Sequence, residues 1–288
     1  MSTFQHILFP VDFSERSRAM RPLVTSLAER FKSKLTLLNI VEIPLTAYAD
    51  PMGGVPFVFD LQAVAEQQRK ELESFLETPP SLRVEKVVEE GDPAIGIISY
   101  AERNGVDLIV MPTHGYGKFR GLLLGSVTAK VLHDAKCAVW TTAHSEDPKL
   151  TTKIDLRTML CAIDLMPENA DLIRQAASLA GDFNAKLRLV HAVPGAEPAP
   201  AKNMNTEFTR SLIEWSREYI GKLQRKAGTD LEVYVMGGQV SVVLREEALR
   251  HNADLVVIGR GRLQETLGRL RTNSYAVIRD SPCSVLSV

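Results

Sequence analysis

The chain has 288 residues, 45% of them hydrophobic and 24% charged, with a formal net charge of −1. That length suits two domains that each bury a core, and the near-neutral charge leaves no electrostatic footprint for nucleic acid or an anionic membrane. No uninterrupted apolar stretch is long enough to span a bilayer. The first residues carry no signal-peptide pattern and three cysteines lack metal-ligand spacing, so the expected compartment is the cytoplasm, without a disulfide framework or zinc site.

In chain order, the first apolar run, Ile7–Val11, reads as a strand ending at Asp12. Met20, Leu23, Val24, Leu27, Ala28 and Phe31 recur at three- and four-residue spacings, which predicts one helix over Arg18–Phe31. Leu35–Val41 is the next strand. Pro44–Asp60, with prolines, glycines and two phenylalanines, reads as a long loop of the kind that forms a lid or flap. Leu61–Leu76 is expected to be a helix, Arg83–Glu89 a strand, and Ala94–Asn104 a helix closed by a left-handed Gly105. Asp107–Met111 is a strand, the glycine-rich run from Pro112 to Gly125 a loop, Ser126–Asp134 a short helix and Ala138–Thr142 the last strand of the half.

The second half then repeats the first. Asp12 returns as Asp164, Asp107 as Asp254 and Cys137 as Cys283, so the spacing between copies shrinks from 152 to 147 to 146 residues. Strands keep their order while loops shorten, which is the mark of two fused domains and not of a short-repeat solenoid. The expected boundaries are a first domain at 1–143, a polar linker at 144–156 and a second domain at 157–288. Continuous apolar strands alternating with helices predict, in each half, an α/β domain with an open five-stranded parallel sheet covered by helices on both faces. Ala138–Thr142 and Ser284–Val288 are expected at sheet edges, where exposed backbone invites a partner. Cys137 and Cys283 read as small buried apolar residues at equivalent strand starts.

In such sheets ligands sit at the carboxyl ends of strands where the strand order reverses. Pro10-Val11-Asp12 ends the first strand, Asn39-Ile40 the second, and Pro112-Thr113-His114-Gly115 follows the fourth. A glycine-rich loop running into a helix at Gly125-Ser126 offers backbone N–H groups and a dipole to a phosphate, with Lys118 and Arg120 at hand. Gly115, nine residues, then Gly125-Ser126 resembles the nucleotide signature of the universal stress protein family, specifically its tandem members. The aspartate ending strand one and the Gly91-Asp92-Pro93 turn fit as well. The signature departs at its first glycine, where Pro112 stands, removing one N–H donor; Thr113 and His114 are the residues placed to compensate.

The resemblance implies Rossmann-like domains, of the kind shared with adenine-nucleotide α-hydrolases, pairing as an internal pseudo-dimer. It also implies an adenine nucleotide: ATP, ADP or AMP, with or without Mg2+. Asp12 would face the ribose, the Ile40 backbone would hold the adenine, and Gly115, Gly125, Ser126 and Val127 would receive the phosphates. In the second half Asp164 persists, but Arg271-Thr272 stands opposite Gly125-Ser126. Arg260, Arg262, Arg269 and Arg271 read as a solvated or carboxylate-paired loop, with Glu265 and Asp280 as partners, in preference to an anion site. His191, replacing Asn39, reads as a polar residue satisfying backbone groups. No catalytic triad, carboxylate pair or P-loop is present, which favours a nucleotide-binding stress-response regulator over an enzyme. The competing readings are a nucleotide-independent interaction protein of the same fold and a slow ATPase.

Overall fold

A computed structural model describes residues 4–42, 60–77, 79–113, 124–142, 154–195, 206–260 and 269–288. In the first half these form β1 (His6–Pro10), α1 (Glu15–Ala19), α2 (Arg21–Phe31), β2 (Lys34–Val41), α3 (Leu61–Phe75), β3 (Arg83–Glu90), α4 (Pro93–Arg103), β4 (Leu108–Met111), α5 (Ser126–Asp134) and β5 (Ala138–Thr141). The second half repeats the pattern as β6 (Thr158–Ala162), α6 (Asn169–Phe183), β7 (Lys186–Val193), α7 (Thr206–Ala227), β8 (Glu232–Gly237), α8 (Val240–Arg250), β9 (Leu255–Ile258), α9 (Arg269–Asp280) and β10 (Ser284–Ser287). The residues fall into two compact units, the first carrying β1 to β4 and the second β6 to β10. The Pro44–Phe59 loop and the linker core at 144–153 lie outside the described residues.

In the first unit the strand order is β3-β2-β1-β4, with β5 next after β4; in the second it is β8-β7-β6-β9-β10. β1 pairs in parallel with both β2 and β4, and β6 with both β7 and β9. The chain thus winds one way from β1 to β3 and the other way through β4, which makes the gap beyond β1 and β4 the switch point of the sheet. Central strands are buried along their length, as in Leu108–Met111 and Leu255–Ile258, because helices cover both faces.

One sequence expectation fails locally. The helix expected over Arg18–Phe31 is broken at Met20 into α1 and α2. Pro22 has no N–H to close the ladder and its ring conflicts with the carbonyl four residues back, so the helix restarts with Pro22 in its first turn. Ser14 begins α1, its hydroxyl accepting from Ser17 N at 3.1 Å. The cysteines also differ from expectation: Cys137 and Cys283 are only partly covered, and the fully buried thiol is Cys161. Burial pushes Cys161 up to about 12, so it stays a neutral core residue.

Polar ties recur at matched positions. Asp107 Oδ2 accepts from Gln5 N and His6 N at 2.8 and 2.9 Å, and Asp254 Oδ2 accepts from Arg157 N and Thr158 N at the same distances. Each aspartate seats the start of the central strand. Gly105 takes φ +61 as expected, and Asn252 occupies the matching left-handed position at φ 47.

Two histidines link stability to pH. His6 is buried, with Nδ1 against Asn104 O at 3.1 Å and Nε2 against Thr36 Oγ1 at 2.9 Å. His191 is buried, with Nδ1 on Ile163 O at 2.8 Å. Burial lowers both pKa values below 6.5, only partly offset by hydrogen bonds and nearby carboxylates. The unfolded chain then takes up protons near pH 6.5 while the folded chain resists. Their contribution to stability is therefore complete above that pH and declines as pH falls through the window below it. His191→Asn installs the residue that the first half uses at the matching position. Urea melts between pH 5 and 7.5 should show a shallower acid loss in this variant than in wild type. Identical pH slopes would remove His191 from the account.

Candidate functional site

Beyond the last residue of β1 the backbone of the first unit is held by a small set of bonds. Val11 N donates to Leu38 O at 2.8 Å, and Asn39 Nδ2 donates to Val11 O at 2.9 Å, fixing the exit of the strand. Asp12 Oδ1 accepts from Ser14 N at 3.0 Å in an Asx turn. Phe13, between them, takes a left-handed φ of 59 and packs its ring 5.9 Å from that of Phe75. A non-glycine residue in this region is costly unless packing holds it there. The turn leaves the Asp12 carboxylate half-buried at the switch point.

Ile40 lies on β2 past the end of β1, since β1 pairs with β2 only as far as Pro10 opposite Leu38. Leu38 O faces β1 and Val41 O faces Gly91 N on the other side. By strand alternation the N–H and C=O of Ile40 therefore point to the β1 side, where no described residue pairs with them. The Ile40 side chain lies against α4 at Gly96, where a Cβ would come within 2.8 Å of Cδ1. Gly96 had no signal of its own in the sequence; only the approach of strand to helix gives it a role.

The parallel register carries β4 beside β1, which brings Pro112 and Thr113 next to the Asp12 turn. Pro112 does not leave its surroundings unsatisfied: its carbonyl accepts from Thr128 Oγ1 at 3.0 Å. Buried Thr113 accepts from Gly125 N at 2.9 Å, pinching the base of the loop. The Gly125 N–H is thus engaged within the chain, and Gly125 acts as the N-cap of α5, at φ −58 and ψ 142. With no side-chain cap, and with the ladder first closed by Ala129 N on Gly125 O, the N–H groups of Ser126, Val127 and Thr128 have no acceptor among the described residues. Ser126 is exposed and Val127 half-buried. Pro10, Val11, Asp12, Ile40, Thr113, Gly125, Ser126 and Val127 are brought to one end of the first sheet; His114 and Gly115, with Lys118 and Arg120, lie outside the described residues.

The second unit repeats the first part of this arrangement. Ile163 N donates to Val190 O at 3.0 Å, and His191 bonds Ile163 O where Asn39 bonds Val11 O. Satisfying the backbone is thus what His191 does. Asp164 Oδ1 accepts from Asn169 Nδ2 at 2.5 Å and from Met166 N at 3.3 Å, with Leu165 at φ 65. The helix end differs. α9 begins at Arg269, so Arg271 and Thr272, which match Gly125 and Ser126, lie inside a helix and not at its cap. Asp280 pairs with its neighbour Arg279 at 2.7 and 3.0 Å, which holds its carboxyl below the usual range. Arg262, Glu265 and the side chains of Arg269 and Arg271 lie outside the described residues. Among the described residues no cluster of three or more His, Cys, Asp or Glu is placed to hold a metal, and no helix is long and apolar enough to cross a membrane.

The family model of the universal stress protein family matches residues 3–142 and again 156–288. Universal stress protein MJ0531 of Methanocaldococcus jannaschii is 28% identical over 142 residues, which cover 47% of this chain and 80% of its own. Universal stress protein A homolog 1 of Coxiella burnetii is 32% identical over 145 residues, covering 48% of this chain and 96% of its own. Each relative spans about half of this chain. A solved universal stress protein from Archaeoglobus fulgidus superposes with a TM-score of 0.65 at 21% identity, over 99% of this chain and 96% of that one, which speaks to the fold alone. Two matches to one family model cover nearly the whole sequence, and the chain therefore belongs to the universal stress protein family, with one family domain in each half.

Proposed function

We propose that the chain is a stress-response regulator that binds an adenine nucleotide, ATP in the first instance, through its first domain. The observation that carries this reading is the first turn of α5 beside the switch point, whose Ser126, Val127 and Thr128 N–H groups have no acceptor among the described residues. An uncapped helix N-terminus there favours an anion through both its N–H groups and its dipole. The open backbone edge of Ile40 suits the donor and acceptor edge of adenine, and the Asp12 carboxylate suits a ribose hydroxyl. Gly125 supplies the sharp entry to the helix, while its own N–H serves Thr113.

The second domain keeps the carboxylate of Asp164 and the backbone geometry at Ala192, but α9 runs through the positions that would form the cap. Its role on this reading is that of a folded partner without a phosphate cradle. Among the described residues of the site no side chain is placed as a general base, so turnover of the nucleotide is expected to be slow compared with its release. Calorimetry with ATP, ADP and AMP, in the presence of Mg2+, tests the reading. One site per chain is expected, with affinity rising as phosphates are added. Two equal sites would make the arginine loop of the second domain a working phosphate site, and absence of binding would favour the nucleotide-independent interaction protein.

A further inference from the structure

In the first unit α1, α2 and the end of α3 enclose an open groove of about 980 Å³. Arg18, Arg21, Thr25, Ser26, Arg30 and Ser74 are among the residues that line it. Its volume is at the upper end of the range of small-molecule sites. Arg21 is the residue that sets it apart from an ordinary solvated surface. The Arg21 Nε donates to Arg18 O and Nη1 to Phe75 O, both at 3.0 Å, and the guanidinium lies 5.7 Å from the centre of the buried Phe75 ring.

The arginine is therefore fixed in place by two carbonyls and an aromatic face, and neither carbonyl neutralises its charge. Arg18, stacked on the same ring at 5.7 Å, is already matched by Glu71 at 2.7 Å. The carboxylates on the lining are Glu29 and Glu77; Glu29 Oε1 accepts from Ser81 Oγ at 3.4 Å. That leaves the Nη2 edge of Arg21 as a preorganised cationic donor with no partner among the described residues. Ser26 adds a second donor. Its oxygen already accepts from Ile154 N at 3.1 Å, so its own proton is left to give.

We propose that this groove is a second ligand site, for a small phosphate-bearing molecule held by Arg21 and the Ser26 and Thr25 hydroxyls. A guanidinium whose orientation is set in advance gives up little freedom on binding an oxyanion, and its Nη2 protons remain to donate to a phosphate oxygen. The site shares no residue with the cap of α5 or with the Asp12 turn, although the Phe75 ring under Arg21 also packs against Phe13 of that turn.

The test uses the intact chain and inorganic pyrophosphate as probe, followed by calorimetry and by amide shifts in two-dimensional NMR. Saturable shifts at Arg21, Thr25 and Ser26 are expected, with binding weakened about tenfold or more in Arg21→Gln, as for loss of a charge-assisted hydrogen bond. Ser26→Ala, which removes no structural charge, should weaken it about threefold, and thermal melts check that both variants stay folded. Ser126→Pro should leave these shifts unchanged, whatever it does to nucleotide binding. The proposal is overturned if these amides do not saturate up to about 10 mM pyrophosphate. Equal binding by wild type and Arg21→Gln would also overturn it, as would shifts that disappear with Ser126→Pro and follow the α5 cap instead.

Discussion

Ser126→Pro is expected to weaken ATP binding by about 10- to 100-fold while leaving the fold intact, the range set by one or more hydrogen bonds to a charged group. Ser126 is the first residue of α5 and Gly125 its N-cap. Proline is well accommodated at the first helical position, because the N–H it lacks has no partner within the helix and its fixed φ suits the turn. The preceding residue must be extended, and Gly125 already is, at φ −58 and ψ 142. The substitution therefore removes the Ser126 N–H and hydroxyl from the open cap without a helix-breaking cost. Ser126→Ala separates the two groups, since it removes the hydroxyl alone and should cost less. Calorimetry against ATP and AMP gives the readout: the loss should be larger for ATP, which places more phosphate charge at the cap. A full-affinity proline variant with an unchanged melting curve would show that phosphate does not sit on α5.

Asp12→Asn is expected to weaken nucleotide binding about tenfold with a stability change within about 0.5 kcal/mol. Asp12 Oδ1 accepts from Ser14 N in the turn that follows β1, and an asparagine oxygen makes the same bond. The turn survives, whereas the negative acceptor for a ribose hydroxyl is lost. Asp12→Ala removes both and should cost about 1 kcal/mol of stability in addition. A 2′-deoxy or 3′-deoxy nucleotide completes the cycle. It should bind wild type more weakly than ATP, and the difference should shrink in Asp12→Asn if the carboxylate and the hydroxyl interact. If the penalty for the deoxy nucleotide is the same in both proteins, Asp12 serves the turn and not the ligand.

Much of this architecture was legible in the sequence because it rests on local periodicity and on repetition. The apolar runs became β1, β2, β4 and their counterparts to within a residue or so, and Ser126–Asp134 is α5 as expected. What periodicity misses is a break that preserves the apolar face. Met20 at the α1–α2 junction and Leu23, Val24 and Leu27 beyond it line the core, so their spacing reads as one helix although Pro22 interrupts the hydrogen-bond ladder. Burial of cysteine was similarly misjudged: Cys137 and Cys283 precede their strands and remain partly exposed, while Cys161 lies within β6.

The sequence by itself determined that there are two copies of one α/β domain, that an aspartate closes the first strand of each, and that only the first copy carries Gly-Ser at the start of its short helix. These are statements about composition, order and period, which neighbouring residues settle among themselves. Tertiary structure alone decided which N–H groups are open. The Gly125 amide looks like a phosphate donor in sequence, but Thr113 O, twelve residues away along the chain, takes it, and the donors without an acceptor among the described residues are Ser126, Val127 and Thr128. It also decided that Asn39 and His191 are the same strut, that Gly96 makes room for Ile40, and that Arg21 is held by the carbonyl of Phe75. Each depends on a contact between residues far apart in sequence. A hydrogen bond is satisfied by whichever acceptor the fold brings within reach, and the chain order does not name that acceptor.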